Sequence, residues 1–258
     1  MATVAAMDRV VDFELRDGLA TITLDSQPNR NALSRALLDG LHEALDRADE
    51  AQARVIVLTH RGPAFCAGAD LKERSAGPPD SSPFVRVLER LADTDAVSIA
   101  GVDGAVRAGG IGLMAACDLV VVNAATTFAL TEVRIGVAPA IISVPILARV
   151  PAARIAAAML TGAPFSATDA REMGLVTHVT DDVVATVGDL VAAITSGGPT
   201  AVAATKRLLR TVPTLDRDTA YARMRALSDE LFQGPEGTEG MRAFAEKRDP
   251  SWVRDGDR

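Results

Sequence analysis

Two stretches, Phe65-Cys66-Ala67-Gly68-Ala69-Asp70 and Ala108-Gly109-Gly110-Ile111-Gly112, decide how this chain is to be read. Each is built almost wholly of small residues after an apolar run, so a ligand can approach bare backbone N–H groups. The second also opens a segment that reads as a short helix, whose positive end favours an anion. Two such amides converging on one oxygen form an oxyanion hole. Taken singly, each cluster reads equally well as a tight strand-to-helix turn.

Outward from these clusters, residues 10–16 and 19–25 alternate apolar and polar side chains about Asp17-Gly18, which predicts a β-hairpin. Ser34 is placed to cap a helix in which Leu37, Leu38, Leu41 and Leu45 recur at helical spacing. Residues 54–59 follow as a buried Val/Ile-rich strand, giving a ββαβ opening. Beyond a Pro/Ser-rich loop at 76–83, a helix near 84–92 leads to a strand at 97–102, and the helix from Gly109 leads to a strand at 118–122. Buried strands thus alternate with helices over 54–180, which predicts α/β layers. Residues 181–248 hold no convincing strand and read as three helices. Their stripe of Leu208, Leu209, Leu215, Met224, Leu227 and Leu231 is more than a short tail can hide, so it is expected to dock on the core or on another subunit.

The 258 residues suit one large domain or a domain with an appended subdomain, and 48% are hydrophobic while only 3% are aromatic. A core of Ala, Val, Leu and Ile favours packed layers and lacks the aromatic platforms of nucleic-acid readers. The net charge of −7 argues against binding a phosphate backbone, though it leaves room for a local basic pocket. Cys66 and Cys117 make no C-x-x-C pair and no histidine stands at zinc spacing, so neither a disulfide framework nor a metal is expected. No apolar run reaches the length of a membrane span, and Asp8 and Asp12 occupy the N-terminal region in place of a signal core; a cytoplasmic protein is expected, with no membrane partner.

Nucleotide and hydrolase signatures are absent. Gly104-x4-Gly109 runs into Gly110-Ile111 where a phosphate loop needs Lys and Ser/Thr, no G-x-G-x-x-G follows the first strand, and there is no G-x-S-x-G elbow. His42, His60 and His178 sit in unrelated settings. What remains is the pair of small-residue clusters and one acid in an apolar segment, Glu132 within Phe128-Ala129-Leu130-Thr131-Glu132-Val133.

On these residues the chain resembles the crotonase superfamily, the enoyl-CoA hydratase/isomerase proteins. The matching pieces are PNRNAL (28–33), FCAGADL (65–71), GGIGLMAACD (109–118), residues 128–139, LTG (160–162) and AREMGLV (170–176), spread over nearly the whole chain. The resemblance implies an α/β spiral of repeated ββα units at 1–195 that binds an acyl-CoA. It implies a helical region at 196–258 that serves oligomerisation, as a homotrimer or dimer of trimers, and closes the CoA site. Backbone amides of Ala69 and Gly109 would hold the thioester oxygen as it becomes an enolate, stabilising charge only as it develops. Coenzyme A enters as part of the substrate, and no permanently bound cofactor is implied. Arg30, Ala67, Asp70 and Leu71 would surround its adenine and phosphate end, with Phe244 and Lys247 closing the site. Arg242 and Arg248 beside Lys247 make a basic patch that suits the phosphates, and suits an ordinary solvated face as well.

The carboxylates depart from the family pattern. Well-characterised hydratases of the family carry two glutamates; Gly112 stands at the first position and Glu132 at the second, leaving one acid/base. Hydration of a 2-enoyl-CoA by Glu132 alone is the first expectation, Δ3,Δ2-enoyl-CoA isomerisation the second, and a non-catalytic acyl-CoA-binding protein the third. Glu132 otherwise reads as a helix-start acid paired with Arg134. Arg107 and Ala108 stand where the family commonly has an apolar residue and a glycine; Arg107 either reads a substrate carboxylate, is held by Asp103 or Asp118, or points to solvent. Ala140-Ile141-Ile142-Ser143 replaces a glycine-rich segment and predicts a bulkier, stiffer wall beside Glu132, with Gly112, Arg107, Ile141 and Ser143 in the substrate pocket. The hydroxyls of Thr131 and Ser143 either position water or satisfy nearby backbone. Cys66 and Cys117 read as buried packing, not as nucleophiles.

Overall fold

The computed structural model describes residues 9–74 and 80–253. Strands β1 (Val11–Arg16) and β2 (Leu19–Leu24) pair antiparallel across Asp17 and Gly18, whose φ of 51° and 83° give the turn the hand that matches strand twist. Helix α1 (Arg35–Glu50) begins at Ser34, whose hydroxyl accepts the Leu37 N–H at 3.2 Å, and it buries Leu37, Leu38, Leu41 and Leu45.

Three strand pairs then build two sheets at once. They are β3 (Val55–His60) with β4 (Ala64–Cys66), β5 (Val97–Val102) with β6 (Ala105–Arg107), and β7 (Leu119–Asn123) with β8 (Thr127–Ala129). The first member of each pair adds to the hairpin in a sheet of order β1-β2-β3-β5-β7, parallel from β2 onward and ended by β10 (His178–Thr180). The second members run parallel in a smaller sheet, β4-β6-β8, which β9 (Phe165–Ser166) closes antiparallel. Every residue of β5 is buried, as a strand covered on both faces requires.

Helices follow the pairs: α2 (Leu71–Arg74) and α3 (Ser82–Asp93), then α4 (Gly109–Ala115), then a 3-10 turn at Glu132–Ile135 with α5 (Ala140–Arg149). This is the repeated ββα spiral. Helices α6 (Ala152–Thr161) and α7 (Ala167–Met173) flank β9. Part of the Pro/Ser-rich loop falls on residues 75–79, outside the described residues, while Ser82 and Pro83 already belong to α3.

Past residue 181 the expectation of three helices is corrected to four: α8 (Val183–Thr195), α9 (Pro199–Thr211), α10 (Arg217–Gln233) and α11 (Pro235–Glu246). Gly198-Pro199 and Gly234-Pro235 each start the next helix, because proline fits the first helical position but not the interior. Helix α9 is tied to the core by Lys206, whose buried ammonium lies 2.8 Å from Oδ2 of Asp118 and donates to the carbonyls of Leu91 and Ala96. Oδ2 of Asp118 also accepts from the Ser98 amide and hydroxyl. Helix α10 buries no residue fully, and Leu209, Tyr221, Phe232, Met241 and Phe244 stay exposed within the chain. Among the described residues no helix is long and apolar enough to cross a membrane.

Candidate active site

The loop after β2 is tied to the β3–β4 connection by Asn31. This side chain, 1% exposed, accepts the Ser26 amide and donates to the carbonyls of Arg61 and Ala64. The Ala67 amide donates to the Arg30 carbonyl and the Leu33 amide to the Gly68 carbonyl, so that Leu33 and Ala69 face each other in an isolated parallel bridge. Gly68 holds φ at +91°, and a β-carbon there would meet that of Ala108 at 2.9 Å and lie 3.5 Å from the Gly109 amide nitrogen. The two glycine turns therefore press directly on each other. Among the described residues neither the Ala69 nor the Gly109 N–H has an acceptor. The structure thus brings together two open donors from turns far apart in sequence. Ala108, at φ 47° and ψ −117°, sets the entry into α4 in a region that side chains disfavour.

Glu132 opens the 3-10 turn after β8. Its Oε2 is buried without a partner, and burial raises the carboxyl above its ordinary range, offset only in part by its own N–H. The expected alternative, pairing with Arg134, is not found: Arg134 donates to the carbonyl of Thr161. A half-buried carboxylate held off its charged neighbour has the properties of a general acid/base.

Gly112 is buried on α4, one turn beyond Gly109. The wall opposite it is made by Ile142, a residue the sequence reading had grouped with its neighbours; Ile141 is half-buried and the Ser143 hydroxyl donates back to the Ala140 carbonyl at 2.6 Å. Arg107 is held by neither Asp103 nor Asp118. Its guanidinium donates to the Val106 carbonyl and to both oxygens of Thr127, at the start of β8, whereas Glu132 lies beyond the end of that strand. Desolvation lowers its pKa.

Arg30, Ala67, Asp70 and Leu71 lie together on the stitched loops. Asp70 accepts from the Asn29 amide group and from the Lys72 backbone, while Arg30, Ala67 and Leu71 are exposed. No described hydrogen bond or ion pair joins Phe244 or Lys247 to this cluster. In the expected basic patch Arg248 and Arg242 are bound by Glu239, whose carboxyl they hold down at about 2, and Arg248 also by Glu246. Lys247, left-handed at the end of α11, is the exposed cation left there. Cys66 and Cys117 are free and buried, their thiols pushed up to about 12 by desolvation. No group of metal-ligating side chains occurs among the described residues.

The sequence profile of the enoyl-CoA hydratase/isomerase family matches residues 14–255. Enoyl-CoA hydratase EchA19 of Mycobacterium tuberculosis is 32% identical, over 98% of this chain and 99% of that protein. A crystal structure of an enoyl-CoA hydratase from Mycobacterium avium is 41% identical with a TM-score of 0.74, covering 96% of this chain and all 100% of that one. Human enoyl-CoA hydratase domain-containing protein 3 superposes with a TM-score of 0.89 at 28% identity, covering 95% of this chain and 100% of that one. On profile, sequence and fold together, the chain belongs to the enoyl-CoA hydratase/isomerase family, the crotonase superfamily.

Proposed function

We propose that the protein adds water reversibly across the 2,3 double bond of a 2-enoyl-CoA, with Glu132 as its one acid/base. The observation that carries this reading is the unpartnered, buried Oε2 of Glu132 in a chain that also leaves the Ala69 and Gly109 amides open. Glu132 takes a proton from water as the water oxygen bonds to C3. The π electrons move onto the thioester oxygen, which the two amides hold as an enolate; Glu132 then returns the proton to C2. The CoA moiety lies along Arg30, Ala67, Asp70 and Leu71. Phe244 and Lys247, unconnected to that cluster within the chain, close a site of a neighbouring subunit in a homotrimer or dimer of trimers. The exposure of the C-terminal helices supports this, with α10 burying no residue of its own.

A second reading, Δ3,Δ2-enoyl-CoA isomerisation, is favoured by the apolar residue Ile142 facing Gly112. Glu132 would then take a proton from C2 of a 3-enoyl-CoA and return one to C4 through a dienolate. Incubation with crotonyl-CoA, a branched 2-enoyl-CoA and a 3-enoyl-CoA, with products resolved by mass and retention, separates the readings. Water addition supports the first and a shifted isomer the second. Retention of the thioesters without either product overturns both in favour of a non-catalytic acyl-CoA binder.

A further inference from the structure

Position 112 lies three residues after Gly109 on α4, so both project to one face of that helix. A β-carbon on Gly112 would stand 2.3 Å from Cγ2 of Ile142, 2.6 Å from its Cβ and 3.3 Å from its Cα. No rotation of the isoleucine relieves the last two distances. The partner helix is also held fast. Ile146, one turn further along α5, is fully buried, and Arg149 at its end donates to the carbonyls of Ala115, Cys117 and Asp118, where α4 finishes. The two helices therefore admit a side chain at 112 or at 142, never at both. The branched side chain of Ile142 has little rotamer freedom and only 4% exposure, so the space it fills is dry and closed.

We propose that Ile142 is the specificity-determining residue of this site: by taking the space of a side chain at 112, it confines the chemistry to reactions that one carboxylate can complete. This rests on the reading of Glu132 given above. Ile142 itself touches no reacting atom. It sets the reaction by excluding a second water-holding group from the face of α4 that carries Gly109.

The test uses the full chain as wild type, Gly112→Glu, Ile142→Gly and the double variant. Melting temperature is read for each, together with the ratio of water addition to double-bond shift on a 2-enoyl-CoA and a 3-enoyl-CoA. Gly112→Glu alone is expected to lower Tm by roughly 5 °C or more, as overpacking does, and the second change to recover most of it. The double variant is expected to raise the hydration-to-isomerisation ratio at least about tenfold over wild type and over either single variant. If the double variant does not fold, the smaller pair Gly112→Asp with Ile142→Gly takes its place. A Gly112→Glu protein as stable as wild type overturns the inference, and so does a double variant with the wild-type product ratio. A wild type that turns over neither substrate overturns the functional reading instead, whatever the melting temperatures show.

Discussion

Leu33 and Ala69 face each other in a single parallel bridge, held by the Leu33 N–H on the Gly68 carbonyl at 2.8 Å. In a parallel pair one residue turns both backbone groups toward its partner strand and the other turns both away. The bridge therefore uses Leu33 and leaves the Ala69 N–H aimed off the loop.

Asn31 is the side chain that ties the loop carrying Leu33 to the β3–β4 connection. Asn31→Ala strands the Ser26 amide and two carbonyls, at about 1–3 kcal/mol for each buried group left unpaired. Denaturant unfolding is expected to show the loss. KM for acyl-CoA is expected to rise more than kcat falls, because Arg30 lies on the loosened loop and its carbonyl holds the Ala67 amide.

Glu132 has a folded-state pKa raised by burial, so its ionised form is less stable in the folded protein than in the unfolded chain. The resulting destabilisation is absent below the unfolded carboxyl pKa and complete above the folded one. Glu132→Gln is therefore expected to raise Tm at neutral pH, with the gain fading as pH falls from the raised folded pKa to the ordinary carboxyl value. In the wild type, kcat/KM is expected to rise with pH through a pKa above that range, since the base must be ionised. A pH series of melting and rate measurements checks both.

Ala108 holds φ at 47° immediately before the open amide of Gly109. Strain of this kind costs of order 1–3 kcal/mol, and glycine adopts the region freely. Ala108→Gly is expected to raise stability by about 1 kcal/mol with activity retained. Ala108→Val is expected to lower both, measured by Tm and initial rate.

Lys206→Met leaves the Asp118 carboxylate without its cation beneath α9. Breaking such a pair from one side costs about 3–5 kcal/mol. Adding Asp118→Asn is expected to recover a large part, which a double-mutant cycle measures.

The readable parts of the sequence were the local ones. Asp17-Gly18, the Ser34 cap and the mostly apolar β5 each declare themselves within a few residues. The three-residue strands β4, β6 and β8 are too short for alternation to show, so the second sheet was not legible. At the site, the glycine turns and Glu132 stood out by composition. Ile142 did not, because its place against Gly112 is fixed by the crossing of two helices. The choices of Arg107 and Arg134 for neutral oxygens of Thr127 and Thr161 are likewise tertiary, as is the capture of Arg242 and Arg248 by Glu239.

In the proposed reaction a thioester enolate forms against the amides of Ala69 and Gly109, with Glu132 moving the proton. The most direct measurement is exchange of the C2 hydrogens of a saturated acyl-CoA in deuterium oxide, followed by mass. Exchange is expected with wild type, and a fall of about 10²–10⁴-fold in Glu132→Gln. A wild type that binds the thioester without exchange, or a Glu132→Gln protein that exchanges at the wild-type rate, would contradict it.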